Sequence, residues 1–285
     1  MTTVTGTGEG GRITREDVLE VVRQANHSNA ASGTEAESDG FVVPGTPGTD
    51  KWGTVGIEKP TNIRKTIARK MHESWSTVPR VTNFDDADVT ELEAIRQTSK
   101  ADYKAAGIKL TSMPFLIKAV SMALRQNPAI NSTIDLDNDQ IIYKQYVNVG
   151  IAVDTDNGLL VPVLRNTDQK SISELARDLA KTASGVREGN FSLEDLRGGT
   201  FTISNLGAIG GTYSTPIVNV PEVAILLVGR SRKMPVVIDD EIEIRLMMPL
   251  SLSYDHRIID GATAARFLND VIGFLEAPGR LLLAP

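Results

Sequence analysis

The chain has 285 residues, of which 41% are hydrophobic and 23% charged, with 30 basic against 36 acidic side chains, a net charge of −6, and no cysteine. This is the composition of a globular protein rather than a collagen-like or wholly disordered one, and it excludes disulfides, thiolate metal sites, iron–sulfur clusters and a cysteine nucleophile. An acidic balance argues against general nucleic-acid binding.

A glycine cluster at Gly6, Gly8, Gly10 and Gly11 precedes a short expected helix, for which Thr14 and Asp17 form a capping pair and Val18, Leu19, Val21 and Val22 an apolar side. One short helix cannot bury enough surface to fold alone, so residues 1–27 read as part of something larger. Residues 28–54 are rich in Ser, Ala, Gly, Thr, Glu, Asp and Pro and read as a flexible linker.

Residues 55–285 read as one large domain. Helices are expected over 63–75, where Ile63, Ile67, Met71 and Trp75 share a face, and after Thr90, with Glu93 completing a capping box. Others are expected over 115–126, between Pro114 and Pro128, after Ser171 with Glu174, and over 261–276. Strands are expected over 81–87, 141–153, 159–164, 200–204, 223–228 and 242–254. In the last, Ile242, Ile244, Leu246, Met248, Leu250, Leu252 and Tyr254 hold one parity, and Glu243, Arg245, Ser251 and Ser253 the other, as in a half-buried strand. Helices and strands mix without strict alternation, which predicts an α+β layered domain. The most apolar run, 220–229, is interrupted by Pro221 and Glu222 and is far short of the ~20 residues that span a bilayer. Residues 1–9 lack the basic and apolar parts of a signal peptide, so a soluble, intracellular chain with no membrane contact is expected.

Gly6-x-Gly8-x-x-Gly11 spells a dinucleotide fingerprint, but no strand precedes it and no βαβ unit surrounds it. Of the three histidines, His27 stands at a helix end and His72 lies off the apolar stripe of its helix. His256 directly follows the long strand, in Ser253-Tyr254-Asp255-His256-Arg257-Ile258-Ile259-Asp260-Gly261, at a strand-to-helix junction where a catalytic side chain can be held at a cleft. From the residues alone, His256 is either catalytic or a buried structural histidine, and Asp260 stands close enough in sequence to support it. A metal site lacks partners: there is no cysteine and no H-x-x-x-H pair. Ser204 ends a strand that runs into a glycine-rich turn, outside any G-x-S-x-G elbow, and is either a positioned hydroxyl donor or a turn cap.

The segment 253–261 closely resembles the signature of the dihydrolipoyl acyltransferase components of 2-oxo acid dehydrogenase complexes. Gly150-Ile-Ala-Val-Asp154-Thr, Gly158-Leu-Leu-Val-Pro-Val, Gly199-Thr-Phe-Thr-Ile-Ser204-Asn205-Leu-Gly207 and Pro221-Glu222-Val-Ala-Ile resemble that family in order and spacing. The resemblance runs from about residue 57 to the C-terminus, and residues 6–18 resemble the second half of the family's peripheral-subunit-binding domain. The chain departs from the family in beginning within that small domain and in lacking a lipoyl domain. Asp50-Lys51-Trp52 only partly spells the lipoyl-lysine turn, so lipoyl groups are expected from a domain outside this chain.

The resemblance implies a chloramphenicol-acetyltransferase-like layered fold with a mixed sheet and helices. It implies transfer of an acyl group between dihydrolipoamide and coenzyme A, with the acetyl (pyruvate) branch favoured by Met248-Pro-Leu-Ser-Leu-Ser-Tyr-Asp. Succinyl or branched-chain transfer, transfer to a hydroxyl, and a non-catalytic core scaffold are the alternatives. Carried onto this sequence, His256 is the general base, Ser204 the oxyanion donor and Asp260 a support of the histidine region. Arg96, Thr111, Asp154, Asn205 and Gly229, with Ser204, are coenzyme A positions. The implied assembly is a homotrimer packed into a larger polyhedral core. Its active site is split between subunits, and Leu281, Leu282 and Leu283 contact a neighbouring trimer. Lipoyl domains and the dehydrogenase components are the implied partners, with Arg12 and Arg15 lacking the scaffold that would orient them. The implied location is the cytoplasm of a bacterium or a mitochondrial matrix.

Overall fold

The computed structural model describes residues 6–8, 10–20, 42–156 and 158–282, without the side chain of Leu282. The chain divides into two units, residues 1–59 and 60–285.

In the first unit, residues 15–20 are helical. The expected capping pair is made: the Thr14 N–H donates to Asp17 Oδ2 at 2.7 Å and the Asp17 N–H to Thr14 Oγ1 at 3.3 Å. His27 and the linker span up to residue 41 lie outside the described residues. The last part of the expected linker is ordered. β1 (Thr46–Thr49) and β2 (Thr54–Ile57) form an antiparallel hairpin. Its turn is closed by Asp50 Oδ1, which accepts the N–H groups of Trp52 at 2.7 Å and Gly53 at 3.0 Å. Composition alone does not reveal such a side-chain-to-backbone turn.

The second unit begins with α1 (Asn62–Thr77), β3 (Arg80–Asp88), α2 (Thr90–Ala105) and α3 (Met113–Gln126). Short strands follow: β4 (Ser132–Asp135), β5 (Gln140–Tyr143), β6 (Val149–Ile151), β7 (Val153–Thr155), β8 (Gly158–Leu160) and β9 (Val163–Leu164). Then come α4 (Ile172–Arg187), β10 (Phe201–Asn205), β11 (Ala224–Val228), β12 (Arg232–Ile238), β13 (Glu241–Asp255), α5 (Gly261–Glu276) and α6 (Gly279–Leu282).

Seven strands build a mixed sheet in the order β12-β13-β11-β10-β6-β9, with β3 paired to β13. β10 runs parallel to β6 and β11; the other pairings are antiparallel. This is the expected α+β layered domain. α3 is buried from Met113 to Leu124, so it is apolar on nearly every side and lies in the centre of the core. α5 buries Ala264, Phe267, Leu268, Val271, Phe274 and Leu275 at helical spacing. The Phe267 ring lies 5.5 Å from that of Phe201, tying helix to sheet.

Several expectations are corrected. The strand expected over 141–153 is three pieces, because Asn131 turns the chain between the first two: its Nδ2 donates to the carbonyls of Lys144 and Tyr146. The strand over 159–164 breaks at Pro162, which has no N–H to give to a ladder. Ser171 and Glu174 make their capping box, but Thr90 and Glu93 do not. Glu93 is held by Arg96 and Gln97, and the Thr90 hydroxyl bonds Asp88 while accepting the Leu246 N–H. The alternation of β13 does not sort its faces. Ile242 and Ile244 are exposed, whereas Ser251 and Ser253 are fully buried. The Ser214 N–H donates to the first serine, and the second bonds Thr82 Oγ1 at 2.7 Å. Leu281, expected at a neighbour's surface, is 2% exposed within its own chain; Leu283 is outside the described residues.

Glu222 is the notable polar group under the sheet. It accepts the Thr202 hydroxyl at 2.5 Å and the Asn219 amide at 3.2 Å, and burial pushes its carboxyl from 4.5 up to about 7. The folded protein therefore holds a proton that the unfolded chain releases. The stability this contributes is complete below about pH 4.5 and lost as pH rises through about 7, on the order of 3 kcal/mol. Glu222→Gln keeps the hydrogen-bonding shape and should remove that decline. Urea midpoints of both proteins between pH 5 and 8 check it, and parallel pH dependences would count against it.

Among the described residues, no helix is long and apolar enough to cross a membrane.

Candidate active site

β13 delivers His256 to the surface. The strand is held between β11 and β3 up to Asp255, where the Asp255 N–H donates to the Val223 carbonyl and the chain turns. The turn forms because the Asp255 carbonyl accepts the N–H groups of Ile258 and Ile259, at 3.2 and 3.0 Å. The His256 N–H donates to the Pro79 carbonyl at 3.0 Å. The His256 side chain is exposed, with its ring 5.9 Å from that of Tyr254, so it is not a buried structural histidine.

Asp260 does not support His256 by a hydrogen bond. It is the N-cap of α5: its carboxylate accepts the Thr263 N–H at 2.7 Å, and that bond holds the carboxyl below the usual carboxylate range. Asp260→Ala should lower the thermal midpoint by about 2–4 °C, while Asp260→Asn, which also caps, should not. Equal midpoints for all three proteins would remove the capping role.

Ser204 is half-buried near the end of β10. In the ladder it stands opposite Leu227, which stands opposite Ser251, so His256 lies five residues along β13 and two strands across. At ~3.3 Å per residue and ~4.8 Å per strand, the two Cα atoms are roughly 19 Å apart. Within one chain, His256 and Ser204 cannot reach the same carbonyl group.

Two of the expected coenzyme A positions line a pocket of about 290 Å³. Asn205 and Gly229 line it together with Ser112, Met113, Gly207 and Arg230. Gly229 is required where it stands, because a Cβ there would overlap the Thr212 carbonyl oxygen. Thr111 adjoins Ser112, which begins α3 with no side-chain cap bond. Arg96 reaches this segment, with Nη1 donating to the Leu110 carbonyl at 3.1 Å while Nε and Nη2 grip Glu93 at 2.7 Å. Asp154 is exposed on β7, just past the end of β6 that flanks β10. Sequence reasoning missed Arg230, which wraps the glycine turn through the carbonyls of Gly207 and Ile209. A charged residue two positions past the buried strand β11 was the available signal. Among the described residues, no group of three or more His, Cys, Asp or Glu could hold a metal ion.

The family model of the 2-oxoacid dehydrogenases acyltransferase (catalytic domain) matches residues 54–283, and that of the e3 binding domain matches residues 1–19. The chain belongs to the 2-oxoacid dehydrogenase acyltransferase family. The dihydrolipoyllysine-residue acetyltransferase component of the pyruvate dehydrogenase complex of Pseudomonas aeruginosa is 44% identical over 98% of this chain and 51% of its own length. The chain thus spans about half the length of the curated relatives it matches. A solved dihydrolipoamide acetyltransferase of Azotobacter vinelandii superposes with a TM-score of 0.79 at 46% identity, covering 84% of this chain and all of that one. The cubic core of a pyruvate dehydrogenase multienzyme complex matches with the same values. The Azotobacter enzyme was investigated for the roles of a serine, a histidine 52 residues later and an asparagine four further on in its catalytic mechanism. Ser204, His256 and Asp260 have the same spacing here.

Proposed function

We propose that residues 54–285 transfer an acetyl group between dihydrolipoamide and coenzyme A, with His256 as general base and Ser204 as oxyanion donor. The observation that carries this is the shared serine–histidine spacing within a family fold. His256 takes the proton of the coenzyme A thiol as the general base. The sulfur bonds to the thioester carbonyl carbon of the acetyl-dihydrolipoamide, and the carbonyl oxygen becomes an oxyanion that accepts the Ser204 O–H. Collapse breaks the bond to the dihydrolipoamide sulfur, which receives the proton from His256. With no cysteine in the chain, the acetyl group passes directly between the two thiols.

The coenzyme A side of the site comprises the Asn205–Gly229 pocket with Thr111. Arg96 keeps N–H groups free beyond its Glu93 and Leu110 contacts for a phosphate, and Asp154 accepts from an amide. The acetyl group arrives on the lipoyl group of a lipoyl domain. The separation of Ser204 from His256 within one chain supports a site shared between two copies, His256 from one and Ser204 from its neighbour. A homotrimer packed into a larger core would provide such contacts, and a solved pyruvate dehydrogenase multienzyme complex to which the chain is similar has a cubic core. The e3 binding match supports docking of dehydrogenase components through the N-terminal unit.

Rates with acetyl-, succinyl- and isobutyryl-coenzyme A and free dihydrolipoamide test the reading. The acetyl thioester should be the fastest. Preference for another acyl group would reassign the branch, and no transfer at all would leave a scaffold.

A further inference from the structure

Asp260 caps α5 through Oδ1, and no hydrogen bond joins it to His256. His256 is exposed at the end of a strand, where a side chain is free to swing. The residues on either side of it are bound to each other. Asp255 is 2% exposed, and Oδ1 accepts both the backbone N–H and the Nε–H of Arg257 at 3.0 Å. Arg257 Nε also lies 3.1 Å from Oδ2, which accepts Nη2 at 2.6 Å. The pair closes a small ring around the His256 backbone, whose own N–H is fixed to Pro79. Alongside the imidazole, the Tyr254 ring is tilted by 32° to it and is anchored by its hydroxyl, which donates to Asn83 Oδ1 at 3.3 Å.

We propose that the Asp255–Arg257 ion pair is the positioning device of His256: it fixes the direction in which the imidazole leaves the strand, toward the neighbouring copy's Ser204. Two parallel N–H···O bonds set orientation as well as attraction, which a single contact would not. Misplacing a reacting group by about 1 Å can cost on the order of 100-fold in rate, so an exposed base gains from a backbone held on both sides. The inference rests on the reading of His256 as the base.

Arg257→Gln, Arg257→Lys and Asp255→Asn/Arg257→Gln, made in the assembled full chain, test it through kcat, both KM values and the pH profile. Arg257→Gln should lower kcat about 10–100-fold with both KM values within about twofold. It also leaves the Asp255 carboxylate, one residue from His256 in the chain, unneutralised, so the acid limb of the kcat profile should move to higher pH. The other charged groups nearby are unchanged in every variant: Arg80 of β3, stacked on Trp75 at 4.0 Å, and Asp260 at the start of α5. The double variant should keep the loss in kcat but return the limb to its wild-type position. Arg257→Lys should restore the limb and only part of kcat, because an ammonium supplies the charge without the paired N–H groups. If Arg257→Gln does not assemble, Arg257→Lys alone carries the test, through its lowered kcat at unchanged KM.

A KM for acetyl-coenzyme A raised tenfold at unchanged kcat would make Arg257 a substrate contact and overturn the proposal. Wild-type kinetics in both single variants would also overturn it. An active His256→Ala protein would defeat the base reading itself. An inactive His256→Ala beside a fully active Arg257→Gln would defeat only the positioning role.

Discussion

His256→Ala should assemble normally and lose about 10²–10⁴ of its turnover, the usual contribution of a positioned general acid–base. His256 is exposed, so its removal leaves no cavity in the core and should not disturb the fold. The chain offers no cysteine to take over the chemistry, and its other two histidines are remote in sequence, His72 lying in α1. The KM for acetyl-coenzyme A should stay within about twofold, because the imidazole acts on a proton in flight rather than on the bound ground state. Steady-state acetyl transfer to dihydrolipoamide at saturating substrate measures this. A loss of less than tenfold would mean that thiol deprotonation does not depend on His256.

Ser204→Ala should cost about 10²–10³ in kcat, equivalent to ~2.7–4 kcal/mol, the range found when one oxyanion donor is removed. The hydroxyl sits near the end of β10, between parallel neighbours β6 and β11, on a backbone that the sheet holds rigidly. Such a donor needs no reorganisation as charge develops. The charge exists only in the transition state, so the loss should fall on kcat and leave both KM values nearly unchanged. A raised KM with unchanged kcat would instead make Ser204 a ground-state contact.

Much of this site was legible because its residues sit where local and global signals agree. The run from Ile242 to Tyr254 announces a long strand, and Gly261 begins a helix immediately after it, so the junction that exposes His256 is visible in the sequence. α3 was legible from its apolar density and flanking prolines. What failed depends on tertiary partners. Ser251 and Ser253 read as a solvent face because nothing local announces the Ser214 segment and β3 that bury them. Glu93 fits a capping box until Arg96, one turn on, takes its carboxylate. Asp260 stands near His256 in sequence, but that it caps α5 through the Thr263 N–H depends on the orphan donors of a helix start. The Asp255–Arg257 pair was in plain view in the motif, but an i, i+2 pair meets only where the chain turns, and the turn is a property of the fold.

The central claim is that one carbonyl is served by two chains. The ladder supports it: roughly 19 Å separates Ser204 from His256 along one sheet, more than their side chains can bridge. Mixing tests it directly. Assembled Ser204→Ala and His256→Ala proteins are dissociated, combined in equal amounts and reassembled, and acetyl transfer is measured against each variant treated alone. Hybrid assemblies contain interfaces that join an intact His256 to an intact Ser204. About a quarter of the sites in a random mixture are of this kind, so activity should recover toward about a quarter of wild type. Hybrids confirmed by mass that remain as inactive as their parents would place both residues in one subunit and contradict the shared site.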